Sequence, residues 1–429
     1  MTEVAWTLAI FIISYAFLIF EKGNRALVAV AGGTAMVFVG VLDLNAAFFQ
    51  YVDWHTLTLL LAMMILVLVT SQSGLFEYMA IKAAQFVGGR ALPLFFLLAA
   101  MTAVGSAFLN NVTTVLLLAP MAMKVTGMLN VPSLPYLLAI ILASNIGGTA
   151  TLIGDPPNLM IGQAVPELTF NDFLVHLGPP VLVIFICVML GLACYYRRSL
   201  QGDPYLRNRL MNMEAKAYIK NSRLMVKSVS VLTATLIGFT LQPFLGVELT
   251  AIAMAGALLI LFISYQEVDT EALYKDVEWV TIFFFVGLFI LVGGLEEQGV
   301  IDELAQSLIY ATKGDVPTTS LLILWMSGVL SGFVDNVPFV AAMIPIIEEF
   351  EQFGVVDLDP LWWSLALGAC LGGNATLIGS TANVVVAGLA AKAGTPFSYM
   401  DFLKIGVPVV FLSFIIATVY VLFRYLLMY

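Results

Sequence analysis

Two polar, glycine-rich runs sit inside long apolar stretches of this chain, at matching places in its two halves. The first is Ser144-Asn145-Ile146-Gly147-Gly148-Thr149-Ala150-Thr151-Leu152-Ile153-Gly154-Asp155-Pro156-Pro157-Asn158; the second is Leu371-Gly372-Gly373-Asn374-Ala375-Thr376-Leu377-Ile378-Gly379-Ser380-Thr381-Ala382-Asn383. Hydrocarbon cannot hydrogen-bond the amides and carbonyls that such backbone leaves outside a helix. It therefore persists at membrane depth only where it lines a protein cavity or a solute site. Gly147, Gly148, Gly372 and Gly373 free the backbone for unusual conformations and for close approach of a solute. Thr149, Thr151, Asn158, Asn374, Thr376 and Asn383 add neutral donors and acceptors. Half-helix N-termini at such breaks offer amide dipoles to oxyanions or hydroxyls. A site of this kind suits a small hydroxylated or weakly charged solute. Small and polar residues also serve helix packing in membranes, but their occurrence twice at one spacing favours a solute site.

Two further polar points, Asn110-Asn111 and Asp335-Asn336, interrupt other apolar stretches and read as hairpin tips. Asn111 and Asn336 join the expected substrate-binding set. The carboxylates break the symmetry: Asp155 faces Ser380 in the other half, and Asp335 stands where the first half has Asn110. A carboxylate at membrane depth is costly and marks an ion or proton path, so Asp155 and Asp335 are the expected proton-coupling groups. The competing role is a static partner for backbone amides. Cys370 occupies the place of Asn145; His55 and His176 fall at span ends, and Lys124 at a hairpin base. Cys187, Cys194 and Cys370 lack disulfide or metal-ligand spacing. Phosphate-binding, kinase and hydrolase signatures are absent. We therefore expect no enzyme activity, no cofactor, no metal site and no nucleic-acid partner.

The elements that position these residues follow from composition. Hydrophobic residues are 61% and charged residues 11% of the 429, against roughly 25% charged in soluble domains. Apolar runs near the ~20 residues that cross a bilayer recur throughout. The net charge of −10 lies mostly in connections such as Glu267 to Glu278 and Glu348 to Asp359. The first run, Val4 to Phe20, follows an acidic residue and lacks a cleavage pattern, so it is expected to remain as a span.

Trp54 and Trp279, Gly74 and Gly299, Asn111 and Asn336, Pro120 and Pro345, and Asn158 and Asn383 all share one offset (279 − 54 = 225). Asp172-Phe173-Leu174 returns as Asp401-Phe402-Leu403 at 229. We read a first repeat over 1–196 (tip 109–113, break 144–158), a basic cytoplasmic connection over 197–227, and a second repeat over 228–429 (tip 334–338, break 370–383). The first half has spans near 4–20, 25–42 and 54–71, then an amphipathic helix near 76–88. Hairpin arms follow at 91–109 and 112–124, then the broken span and a last span near 177–196. An arm as short as Val112 to Lys124 predicts a re-entrant hairpin. The fold class is thus an all-α polytopic membrane protein with two repeats, each of about five spans and one re-entrant hairpin, and broken helices at the midplane. An odd span count inverts the second repeat, an arrangement shared by many secondary transporters. Basic residues from Arg197 to Lys227, with Lys22, Arg25, Lys82, Arg90 and Lys124, set that face inside and both termini outside.

The Ser144–Asn158 run, together with Asn110-Asn111-Val112-Thr113-Thr114, resembles the ArsB/NhaD group of ion transporters over nearly the whole chain. That group includes arsenite efflux permeases, sodium/proton antiporters and the melanosomal P protein, and the size here is similar to the arsenite permease. At the tips this chain has Asn110-Asn111-Val112 and Asp335-Asn336-Val337, where dicarboxylate transporters of the wider superfamily carry Ser-Asn-Thr. The resemblance implies a secondary transporter of the inner membrane that exports arsenite or antimonite, as the neutral trihydroxide, in exchange for protons. The alternatives are a sodium/proton antiporter and an anion channel. The partners implied are a small inorganic solute, protons and the lipid bilayer; a homodimer and a soluble ATPase subunit stay open.

Overall fold

The computed structural model describes residues 2–19, 23–201, 211–333, 335–353, 355 and 357–426. All regular structure among them is helical. Lys22, Arg207 and Arg209 of the orientation argument, and Val334 of the second tip, lie outside the described residues.

Local sequence sets where the helices start. Asn24 accepts hydrogen bonds from the Ala26 and Leu27 amides and opens α1's successor α2 (Arg25–Phe38), α1 being Thr2–Ile19. Asp53 does the same for α3 (Trp54–Gln72). Such caps are worth about 1 kcal/mol each. Gly74 at φ 83° precedes α4 (Leu75–Phe86), and its repeat mate Gly299 at φ 69° precedes α13 (Val300–Thr312); the left-handed turn explains why glycine recurs there. The first half continues with α5 (Ala91–Leu109), α6 (Asn111–Met128), α7 (Leu134–Gly148), α8 (Pro156–Ala164) and α9 (Phe170–Tyr195).

The second half repeats this order: α10 (Ser222–Leu245), α11 (Leu249–Ile263), α12 (Trp279–Glu297), α13, α14 (Val316–Phe333), α15 (Asn336–Gln352), α16 (Asp359–Gly372), α17 (Thr381–Lys392) and α18 (Tyr399–Val421). The recurring Asp-Phe-Leu is a capping feature. Thr169 with Asp172 and Ser398 with Asp401 each form a reciprocal capping box, at the starts of α9 and α18.

Eight helices among the described residues are long and apolar enough to cross a membrane. Across the long and shorter helices, large apolar side chains such as Phe38, Phe244 and Phe262 are exposed, while Ser106, Ser144, Asn145 and Asp155 are buried. That is the sorting expected when the outer solvent is hydrocarbon.

Two expectations need correction. The second arm of the first hairpin runs from Asn111 to Met128, 18 residues rather than about thirteen. Its helix continues past Lys124, whose ammonium lies over the Tyr218 ring at 4.5 Å, so a single charge does not end it. The breaks are also shorter than the motifs: α7 stays helical through Gly148 and α8 starts at Pro156, while α16 reaches Gly372 and α17 starts at Thr381.

The halves interlock. α2 packs on α12 and α3 on α11, each pair joining opposite halves, whereas α5 packs on α7 and α14 on α16 within one half. α8 meets α15 and α17 meets α6, so each broken helix touches the other half's hairpin.

Candidate functional site

The breaks are held open by bonds, several of which repeat at the 225 offset. Ser106 donates to the Ser144 carbonyl at 2.5 Å and Ser331 to that of Ala369 at 2.6 Å. The Thr151 hydroxyl donates to the Ala107 carbonyl, and that of Thr376 to Gly332. Asn158 Nδ2 donates to the Thr149 and Thr151 carbonyls at 3.0 and 2.9 Å; Asn383 Nδ2 donates to those of Gly373 and Thr376 at 2.8 and 2.9 Å. Thr149 donates to the Asn145 carbonyl at 2.7 Å. These groups satisfy the backbone that the break leaves unpaired.

The glycines bring backbones together. A Cβ on Gly147 would lie 2.2 Å from the Ala103 carbonyl oxygen, and one on Gly372 would lie 2.3 Å from that of Gly328. Gly148 faces Gly154 and Gly373 faces Gly379 in the same way, so each break folds onto itself and onto a hairpin arm.

Inside this scaffold the two halves share one polar network. Asn111 Nδ2 lies 3.3 Å from Asp155 Oδ1 and from Asn145 Oδ1; Asn336 Nδ2 lies 3.2 Å from both Asp155 oxygens. Asn145 Nδ2 donates to Asn374 Oδ1 at 2.9 Å and to Asn383 Oδ1 at 3.0 Å, and Ser380 Oγ donates to Asn145 Oδ1 at 3.0 Å. Asp155 is 1% exposed. Pro156 and Pro157 follow it and have no N–H, so the carboxylate makes no cap bond to α8 and stays available to the ring. The first residues of α6, α8, α15 and α17 line the chamber around this network, which sets the positive ends of those helices beside it. It lines a chamber of about 30 Å³ that includes Asn111, Asp155, Asn336 and Ser380.

Asp335 lines the same chamber but takes its bonds from other groups. It caps α15 through the Val337 amide at 3.3 Å, and it pairs with Arg25, whose Nη1 lies 3.2 Å from Asp335 Oδ2. Arg25 also donates to the hydroxyl of Thr381 and, at 3.1 Å, to that of Thr281. Thr281 in turn donates to Glu278 at 3.2 Å.

Of the residues singled out in the sequence, Asn111, Asn336 and Asp155 meet directly. Asn374 and Asn383 join through Asn145. Asn158, Thr149, Thr151, Thr376 and the four glycines build the breaks. Sequence reasoning left out Arg25, Asn145, Ser380, Thr281 and Thr381. Asn145 and Ser380 carried a signal, because each differs from its repeat mate; Arg25 carried none beyond its place at a helix start. Cys370 Sγ lies 3.5 Å from Asn158 Oδ1. His55 pairs with Glu248 at 3.4 Å on the surface, and His176 stacks on Trp363 and bonds Tyr425. Among the described residues no three His, Cys, Asp or Glu side chains gather as a metal site would require.

The chain is similar to proteins named as transporters. The chain is 38% identical to an uncharacterized transporter of Mycobacterium tuberculosis over 99% of both chains. It is 37% identical to a 46 kDa membrane protein of Mycobacterium leprae over 100% of both. It is also 32% identical to the P protein of Mus musculus, over 99% of this chain and 60% of that one. The solved YdaH transporter of Alcanivorax borkumensis has the same fold, with a TM-score of 0.62 over 92% of this chain and 96% of that one at 14% identity. The P protein belongs to the group that the motifs resembled, whereas the family matched is described as a citrate transporter family. With residues 15–368 matching it, the chain is a multi-pass membrane transporter that belongs to the citrate transporter (CitMHS) family.

Proposed function

We propose that the chain is an ion-coupled secondary transporter in which Asp155 carries the exchanging proton or small cation. One observation supports this most. Asp155 is buried, its hydrogen bonds come from the Asn111 and Asn336 amides and the Cys370 thiol, and no Lys, Arg or His pairs with it among the described residues. A buried charge without a counter-charge is costly, and the converging helix N-termini reduce that cost without supplying a mobile partner. A proton or bare cation supplies one. The chamber of about 30 Å³ admits a species of that size, being close to the volume of one water.

Cation/proton exchange therefore ranks above export of the neutral arsenite or antimonite trihydroxide. The Thr149, Thr151 and Thr376 hydroxyls are bonded to backbone carbonyls, and the Asn145, Asn374 and Asn383 amides are bonded to one another. Few donors are left for three solute hydroxyls. A second reading has its own support: a cavity of about 350 Å³ opens beside Arg25, within the ~300–1,000 Å³ range of small-molecule sites. A carboxylate solute such as citrate, suggested by the family description, would meet the guanidinium there. We place the protein in the inner membrane with the 197–227 connection inside and both termini outside, in accord with its basic residues.

Proteoliposomes with imposed pH gradients test this. The expected result is dye-reported proton movement on adding Na⁺ or Li⁺, lost in Asp155→Asn. Uptake of citrate or arsenite with no response to Na⁺ or Li⁺ would replace the cation reading, and currents above carrier rates would identify a channel.

A further inference from the structure

The chamber around Asp155 and the larger cavity beside it share a wall. Arg25, Phe284, Asp335 and Thr381 line both spaces, one about 30 Å³ and the other about 350 Å³. The wall is held shut by charge-assisted bonds: the guanidinium of Arg25 binds Asp335 and Thr381, Thr381 donates to Asp335 at 2.9 Å, and the Phe284 ring lies 5.3 Å from the guanidinium carbon. The Arg25 and Asp335 side chains are 29% and 21% exposed and line the larger cavity.

The four residues come from four elements, of which two are a packed pair. Arg25 opens α2 and Phe284 lies on α12, which pack against each other. Asp335 caps the second hairpin arm and Thr381 opens the second broken helix. Sliding of the hairpin and broken helix against the α2–α12 pair must part Arg25 from its acceptors. The other half builds no such wall: the repeat mates of Arg25, Asp335, Thr381 and Phe284 are Thr250, Asn110, Pro156 and Leu59, with no charge among them.

We propose that the Arg25–Asp335 pair is a one-sided gate, closing the route between the Asp155 chamber and the membrane face on which Arg25 lies. On this account the two faces of the transporter are sealed by different chemistry, a guanidinium–carboxylate latch on one side and neutral packing on the other.

The test reads accessibility and does not depend on which solute is carried. A single thiol is introduced by Val112→Cys, which lines the chamber, with Cys187→Ser, Cys194→Ser and Cys370→Ala. It is labelled in oriented vesicles by the membrane-impermeant 2-(trimethylammonium)ethyl methanethiosulfonate added to one face. Arg25→Ala is expected to speed labelling from the Arg25 face by at least about tenfold, the weight of one charge-assisted hydrogen bond, with labelling from the opposite face unchanged. Asp335→Asn removes the latch while keeping the size of the side chain and decides the matter if Arg25→Ala does not fold. A change smaller than about twofold, well under one such bond, or equal acceleration from both faces, overturns the gate. Failure of ion exchange in the unmodified protein bears on Asp155 alone.

Discussion

Asn336 Nδ2 lies 3.2 Å from each carboxylate oxygen of Asp155, so the hairpin tip of the second half closes on the break of the first. Asn111 reaches the same carboxylate from the first tip. Two repeat-related donors thus converge on one acceptor. Ser380 stands where strict duplication would put a second acid, and it donates to Asn145 instead. A second carboxylate directly beside Asp155 would repel it strongly. The substitution leaves Asp155 as the one carboxylate that Asn111 and Asn336 hold.

Replacing that charge is the most direct check. Asp155→Asn keeps the shape and is expected to lower ion-coupled exchange at least about a hundredfold, as removal of a proton-transferring group does. The protein should remain monodisperse on gel filtration. Exchange near the unmodified rate would mean that the coupling group lies elsewhere.

The amide contacts have a measurable weight. Hydrogen bonds to a charged group are worth about 1.5–3 kcal/mol. A double-mutant cycle of Asn336→Ala with Asp155→Asn, followed by thermal unfolding in detergent, should return a coupling in that range. A coupling near zero would leave the two residues adjacent without an interaction.

The glycines separate into two kinds. Gly147→Ala and Gly372→Ala push a Cβ to 2.2 and 2.3 Å from backbone oxygens, and overpacking costs about 1–3 kcal/mol or more. Gly127→Ala and Gly388→Ala meet nothing within 4 Å and replace a helical glycine, so they should be neutral or slightly stabilising. Melting temperatures of the four variants read the difference. Equal effects would remove the case for backbone contact at the breaks.

A pH effect is expected outside the spans. Asp315 precedes α14 and accepts from the Thr318 amide at 2.9 Å and from its hydroxyl, which holds its carboxyl below the usual range. A carboxyl depressed in the folded state adds stability above its unfolded value, about 3.9, and that stability is lost as pH falls through the folded value. Melting temperature should therefore drop on acidification below about pH 4, and the drop should be smaller in Asp315→Ala. An identical acid limb in both proteins would refute the cap.

Much of this was legible without coordinates because lipid is an unforgiving solvent. Apolar runs of spanning length, an offset of 225 and polar backbone amid hydrocarbon left few alternatives to duplicated hairpins and broken helices. Asn111, Asn336 and Asp155 stood out for the same reason: each is polar where burial is expensive. Tertiary structure decided how those residues divide their work. Asn158 and Asn383 look like ligands in one dimension, yet their amides satisfy carbonyls seven to ten residues away. Asp335 read as a second proton-coupling group, and it pairs with Arg25, 310 positions distant. Polarity and period along a chain report which groups must be satisfied. Which group satisfies which depends on how α2, α12, α15 and α17 pack, and that is settled only when distant helices meet.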